Sequence, residues 1–259
     1  MARRTISTPA AEIAFHARAL RAPRIPEAAT TLAERAREEG WDHLQFLAEV
    51  LAVETTARES RGGQARVRAA RFPQVKTLDD FDFTHQRSVD RTLISHLAQL
   101  DFLIEKKNVI LLGPPGTGKT HLSIALGVQA ARRGHRVLFA TAHEWVTRLT
   151  TAQRAGRLET ELRRLARIPL LIIDEVGYIP FDPDAAALLF ALISTRYERG
   201  SLIVTSNKTF SAWTEIFGDA VAVSALVDRL VHHAEIIVLR GDSYRLKNHS
   251  TDIISNTDL

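Results

Sequence analysis

Apolar positions along the chain change their period near residue 70. Before that point they recur at helical spacing: Leu44, Leu47, Val50, Leu51 and Glu54 follow it, with the apolar ones on one face. Pro23, Pro26 and Gly40 punctuate residues 10–60, which therefore read as two or three short helices rather than one long one. Gly62-Gly63 and then Phe72-Pro73 mark a joint, which places a domain boundary near residue 70. Beyond it, short apolar runs alternate with helical segments. The runs Val109–Leu112, Val137–Ala140, Leu170–Ile173, Leu202–Thr205 and Ile236–Leu239 read as strands. Asp182-Pro183 opens the helix after the third strand, Leu188, Leu189, Leu192 and Ile193 fill it, and Gly200 closes it. The pattern predicts an α/β fold: a five-stranded parallel sheet between helices, preceded by a small all-helical N-terminal domain. The chain then divides into residues 1–70, residues 71–247 and a polar tail at 248–259, where fraying is expected.

The loop after the first strand reads Gly113-Pro114-Pro115-Gly116-Thr117-Gly118-Lys119-Thr120, a full match to G-x-x-x-x-G-K-[ST]. A strand leads in, and a helical pattern from Lys119 to Arg132 leads out. Glycines let the backbone wrap phosphate oxygens with its amide hydrogens inward, and the following helix adds its positive end. Such a loop predicts ATP and Mg²⁺ as ligands. Lys119 reaches the β- and γ-phosphates, and the Thr120 hydroxyl ligates the metal. About fifty residues on, four apolar residues end in Asp174-Glu175, at the carboxyl end of a strand where open α/β sheets place ligands. Asp174 is the second candidate for Mg²⁺, and Glu175 the candidate general base for an attacking water. The fourth strand ends Thr205-Ser206-Asn207. Asn207 is a candidate to hold that water and the γ-phosphate in line, although an Asn after a strand also serves plain turns.

Charge and composition narrow the field. The 259 residues carry a formal charge of +4, with a pI near 9.7, which suits a polyanionic partner or simply aids solubility. Residues 1–71 hold twelve Arg and no Lys against nine acids, a bias that fits phosphate recognition or a GC-rich genome. The absence of cysteine excludes disulfides, thiolate catalysis and zinc–cysteine sites, and makes a reducing cytoplasm the expected location. No run approaches the roughly 20 apolar residues a membrane span needs. The opening Met1-Ala2-Arg3-Arg4-Thr5 leads into no signal-peptide block.

The order of these motifs, with a late Asp228-Arg229 pair, resembles the AAA+ P-loop ATPases, in their initiator and helicase-loader branch. Within that branch the chain is similar to the IstB-like ATP-binding helpers of bacterial insertion-sequence transposition. The residues that carry this are Asp174-Glu-Val-Gly-Tyr-Ile-Pro-Phe-Asp182, Ser224-Ala-Leu-Val-Asp-Arg-Leu-Val-His-His233, Arg240-Gly-Asp-Ser-Tyr-Arg245 and the lead-in Thr77-Leu-Asp-Asp-Phe-Asp-Phe83. The resemblance implies an ATPase that assembles on duplex DNA as a homo-oligomer, with each nucleotide at a subunit boundary, and that serves a cognate transposase. Arg229 falls where the family places an arginine finger acting in trans, though a helix-surface Arg paired with Asp228 fits the same spacing. Arg245 falls where related proteins sense the γ-phosphate, yet the chain is too short for the full helical lid that usually carries such a residue. Phe81 and Phe83 either border the adenine or simply pack.

DNA contact is expected between the second and third strands. Residues 148–167 hold six Arg and two Glu, and the initiator branch carries an additional nucleic-acid-facing helix there. Arg148, Arg154, Arg157, Arg163 and Arg164 are the candidates for phosphate contact, with a solvated helix face as the alternative. No aromatic residue follows Trp145 among them, which points to sequence-tolerant duplex binding rather than base stacking. His232 and His233 do not share a helix face and have no carboxylate at ligand spacing, so they read as residues near a helix C-terminus rather than a metal site. Three rivals share the P-loop: a replicative-helicase loader that prefers single strands, a small-molecule kinase, and a DNA clamp for which ATP is only an assembly switch.

Overall fold

The structure, a computed structural model, describes residues 8–178 and 180–246. The predicted tail at 248–259, Lys247, Ile179 and the opening Met1-Ala2-Arg3-Arg4-Thr5 lie outside the described residues. The chain forms two compact units, residues 1–64 and 65–259.

The first unit is helical: α1 (Pro9–Ala19), α2 (Ile25–Glu39) and most of α3 (His43–Ala69). Thr8 caps α1 with its hydroxyl, and Gly40 ends α2 in the left-handed conformation. Ala28, Ala29 and Val50 form a small core with Ile13, Ile25, Leu32 and Phe46 around it. Of the predicted apolar face of α3, Val50 is buried while Leu44, Leu47 and Leu51 stay exposed. The buried Glu54 carboxylate accepts the Arg24 amide at 2.8 Å and pairs with Arg58 and Arg61.

Gly62 and Gly63 are both helical, and the two units divide just after them. The reason lies in what residues 66–70 touch. Arg66 donates to the Ala131 carbonyl at 2.9 Å, and the Ala70 carbonyl takes the Phe139 amide on an open strand edge at 2.9 Å. These residues already belong to the larger unit.

That unit continues with α4 (Arg91–Leu97) and α5 (Asp101–Ile104), then alternates: β1 (Asn108–Leu112), α6 (Lys119–Arg132), β2 (Val137–Thr141), α7 (Ala142–Arg154), α8 (Leu158–Ala166), β3 (Leu170–Val176), α9 (Pro183–Arg196), β4 (Ser201–Ser206), α10 (Thr214–Phe217), α11 (Ala220–Val231) and β5 (Ala234–Val238). All five strands are parallel, in the order β2-β3-β4-β1-β5. Both sheet faces are covered, so the strands read as near-continuous apolar runs whose side chains alternate between two cores. Ile110, Leu171, Ile173, Leu202 and Val204 face a core with Trp145, Leu189, Trp213 and Leu230. Val109, Leu111, Leu170, Ile172 and Ile203 face the other, with Ile94, Phe102, Leu122 and Leu126. The Trp145 indole N–H donates to the Ile172 carbonyl at 2.9 Å, which pins α7 to the sheet. Among the described residues no helix is long and apolar enough to cross a membrane.

Several boundaries differ from the reading of the sequence, and β3 runs on to Val176 rather than ending at Ile173. β5 starts at Ala234 rather than Ile236, because Asn108 pairs with Ala234 at the start of β1. The helix expected to run to Gly200 ends at Arg196. The Arg196 guanidinium is buried and donates to five carbonyls, those of Leu165, Ala166, Ile168, Pro169 and Ser201, while burial pushes its pKa down to about 10. A Cβ at Gly200 would collide with that guanidinium. Gly200→Ala is therefore expected to lower the unfolding free energy by about 1–3 kcal/mol, the usual cost of overpacking. Urea unfolding measures it, and an unchanged midpoint would show that the turn yields freely.

Candidate functional site

β1 delivers the chain to Gly113, and α6 begins at Lys119, so residues 113–118 bridge a strand end and a helix start. Gly118 is the left-handed N-cap of α6, and a Cβ on it would stand 2.6 Å from the Phe81 ring. Phe81 thus packs on the loop, lines the adjacent cavity and joins the core below it, while the partly buried Phe83 packs against that core. Thr117 is held from the side, its carbonyl accepting the Gln86 amide at 3.0 Å.

Lys119 is 6% exposed, and its ammonium donates to the Gly113 and Pro114 carbonyls at 2.7 Å each. Burial pushes its pKa down, while the charge of Asp174 holds it up. Asp174 is 3% exposed at the end of β3. Thr120 donates to it, 3.0 Å from each carboxylate oxygen. Burial pushes the Asp174 carboxyl up, against the hydrogen bonds from Thr205 and Thr120 that pull it down.

Glu175 follows in a left-handed conformation, φ +62°, at a register shift between Ile173 and Val176. A non-glycine residue there costs roughly 1–3 kcal/mol and persists only where its surroundings hold it. Thr205, 1% exposed on β4, does the holding: its hydroxyl accepts the Glu175 amide at 2.9 Å and donates to Asp174 at 2.6 Å. The bulge leaves Asp174 turned inward and Glu175 lining the cavity. Burial, and then the charge of Asp174, pushes the Glu175 carboxyl up.

The reading of the sequence missed Thr205. The signal was there: pairing Ile173 with Val204 puts Thr205 beside the acidic pair. Thr205→Val keeps the shape but leaves the Glu175 amide without its acceptor. It is expected to cost about 1–3 kcal/mol of stability, with Thr205→Ser recovering most of it. Equal unfolding midpoints for the Val variant and the native chain would make the bridge idle.

The cavity beside the loop, about 520 Å³, is within the range of small-molecule sites. Gly116 to His121 and Glu175 form one wall, and Tyr178, Tyr244 and Arg245 reach it from elsewhere. Arg245 arrives without a helical lid. After β5 the Leu239 amide donates to Leu112, the Arg240 amide to Ser88 and the Tyr244 amide to Gly116. This strap carries Arg245, on a short turn at Tyr244–Leu246, to the cavity, where its charge pulls the Glu175 carboxyl down.

Asn207 is not among the lining residues. It lies past the end of β4 beside Gly177, with its Oδ1 buried and unpartnered among the described residues. Arg229 is far from the loop of its own chain. It sits on α11 over the Phe190 ring, donates to the Ala225 carbonyl at 2.9 Å, and lines a crevice with Asn108, where β1 begins. The phosphate loop leaves the other end of that strand, about 16 Å away at 3.3 Å per residue.

The arginines of α7 and α8 divide into two groups. Arg148 and Arg164 share Glu161, at 2.6 and 2.8 Å, and Arg163 lies 3.8 Å from Glu159. Arg148 also stacks on Trp145. Arg154 and Arg157 are exposed, and neither forms an ion pair among the described residues.

Solved structures share this fold. AMPPCP-bound DnaA from Aquifex aeolicus aligns with a TM-score of 0.52 at 22% identity, covering 73% of this chain and 57% of that one. DnaI aligns at 0.53 and 18%, covering 68% and 94%. Fold and site together define a AAA+ P-loop protein that binds ATP. The chain belongs to the IstB-like ATP binding protein family, whose model matches residues 15–252. It is 46% identical over 217 residues to an insertion sequence IS21 ATP-binding protein of Pseudomonas aeruginosa, covering 84% of this chain and 82% of that one. An IS5376 counterpart from Geobacillus stearothermophilus is 43% identical, with 88% and 91% covered.

The donor set also fits Mg²⁺. Thr120 and Asp174 offer hard oxygen ligands beside the loop, and a buried carboxylate whose pKa burial has raised is one that a dication would favour in its charged form.

Proposed function

We propose that the protein hydrolyses ATP with Mg²⁺ at sites shared between neighbouring copies assembled on duplex DNA, and that this assembly recruits or regulates the transposase of its element. The hydrolysis reading is carried by the Thr205 bridge, which fixes Asp174 at the Thr120 hydroxyl and turns Glu175 toward the cavity. A bound Mg²⁺ would supply neutralisation of the phosphate charge there. Thr120 and Asp174 would hold it, and Lys119 would pair with the phosphate oxygens. Glu175 takes a proton from water as the water oxygen bonds to the γ-phosphorus; the bond to the β–γ bridging oxygen breaks and ADP leaves with that electron pair. Arg245, which reaches the cavity, orients the γ-phosphate. Arg229, too far from its own loop, completes the site of the next copy. Arg154 and Arg157 lead the contact with phosphates of the duplex, because Arg148, Arg163 and Arg164 are already paired. The helices of the first unit serve assembly or contact with DNA and the transposase.

The solution mass with ATP, alone and with duplex or single-stranded DNA, tests this. A large assembly that needs both ATP and duplex, and is lost in Lys119→Ala, is expected. Assembly on single strands alone would favour a helicase loader, and a monomer under every condition would remove the trans role of Arg229.

A further inference from the structure

At the amino-terminal edge of the sheet, opposite the phosphate loop, α11 ends and the chain turns into β5. His232 caps α11 and His233 follows it. Neighbouring histidines diverge on a helix, but here the helix has ended. Their rings fold together, centroids 4.2 Å apart and 68° between planes. The turn after α9 brings Glu198 to the same place, in a left-handed conformation at φ +56°. One ligand atom from each of Glu198, His232 and His233 lies within 4.8 Å of the other two, and all three residues are exposed. This supplies the carboxylate that sequence spacing alone did not reveal.

The neighbouring Tyr197 orders the site. Its hydroxyl lies 3.2 Å from Nδ1 of His232. A tyrosine hydroxyl can accept from the Nδ1–H tautomer of His232 across that contact. That tautomer leaves the Nε2 lone pair free to ligate, the usual arrangement in which an outer partner orients a metal-binding imidazole.

We propose that Glu198, His232 and His233 form a site for a divalent transition-metal ion of the zinc class, separate from the nucleotide centre. Two imidazoles and a carboxylate suit such ions, whereas Mg²⁺ and Ca²⁺ prefer oxygen alone. Three protein ligands leave a fourth position for water or for a group from another molecule. The carbonyl end of α11 adds partial negative charge, while Lys106 and Arg229, which line the adjoining crevice, oppose a cation and keep the site weaker than a fully enclosed one. Occupancy ties the turn after α9 to the end of α11, the helix that carries Arg229. The site does not depend on the ATPase reading.

Untagged full-length protein, stripped of metal and titrated with Zn²⁺ in a calorimeter under excess Mg²⁺, tests the assignment. One equivalent is expected to bind. Tyr197→Phe is expected to weaken it by roughly 10–100-fold, as loss of an orienting partner does, and Glu198→Gln, His232→Ala and His233→Ala by at least as much. Because these side chains are exposed, far-UV circular dichroism of the variants should match the native protein. Equal Zn²⁺ affinity in a folded His232→Ala/His233→Ala double variant would overturn the proposal, as would no binding by the native chain.

Discussion

Arg229→Ala is expected to reduce ATP turnover of the DNA-bound assembly by about 10³–10⁵-fold, the range over which an arginine finger acts, while each isolated chain still binds ATP. The expectation follows from placement. Arg229 stands over Phe190 near Asn108, at the start of the strand whose other end feeds the phosphate loop. Within one chain it has no path to the γ-phosphate, so loss of its charge can matter only to a neighbour. The decisive measurement is complementation. Arg229→Ala protein mixed with Glu175→Gln protein pairs an intact base on one copy with an intact arginine on the next, and activity should return in the mixture though neither variant has it alone. Near-native turnover by Arg229→Ala alone, or a silent mixture whose copies demonstrably co-assemble, would remove the trans role.

Glu175→Gln should lower hydrolysis by about 10²–10⁴-fold, the usual contribution of a positioned general base, and leave ATP binding intact. The amide keeps the size of the side chain and the backbone bond to Thr205, so the bulge should survive. Assemblies of this variant should outlast those of the native protein, since hydrolysis no longer releases them. The pH profile offers a second readout. Burial and the charge of Asp174 raise the Glu175 carboxyl, and a base works only when deprotonated. Native turnover should therefore fall off on the acid side at a higher pH than an ordinary glutamate would give. The residual activity of Glu175→Gln should lack that limb. Native-like turnover in the variant would assign the base elsewhere.

Much of this site was legible before any fold was known. The loop from Gly113 to Thr120 and the Asp174-Glu175 pair are local features: a strand end, a turn and a helix start written in consecutive residues. Helix α6 runs over the span its pattern predicted, Lys119–Arg132, because apolar spacing and turn residues are short-range signals. Gly200 was misread for the opposite reason. Its meaning lies in a guanidinium that reaches it from Arg196 through a buried carbonyl cage, not in the end of a helix. The apolar side of α3 was also misleading, since spacing shows that Leu44, Leu47 and Leu51 share a face with Val50 but not whether anything covers them.

The sequence by itself determined the class of chemistry: a P-loop, an acidic pair at a strand end and the order of the strands' residues along the chain. Only the tertiary structure decided which partners meet. It set Thr205 between Asp174 and Glu175, brought Arg245 to the cavity on a strap rather than a lid, paired Arg148 and Arg164 with Glu161, and gathered Glu198 to His232 and His233. Motifs are readable because their geometry is carried by neighbouring backbone. Contacts across the fold are not, because they depend on strand register, on where helices end and on burial, and these are set by the packing of the whole sheet.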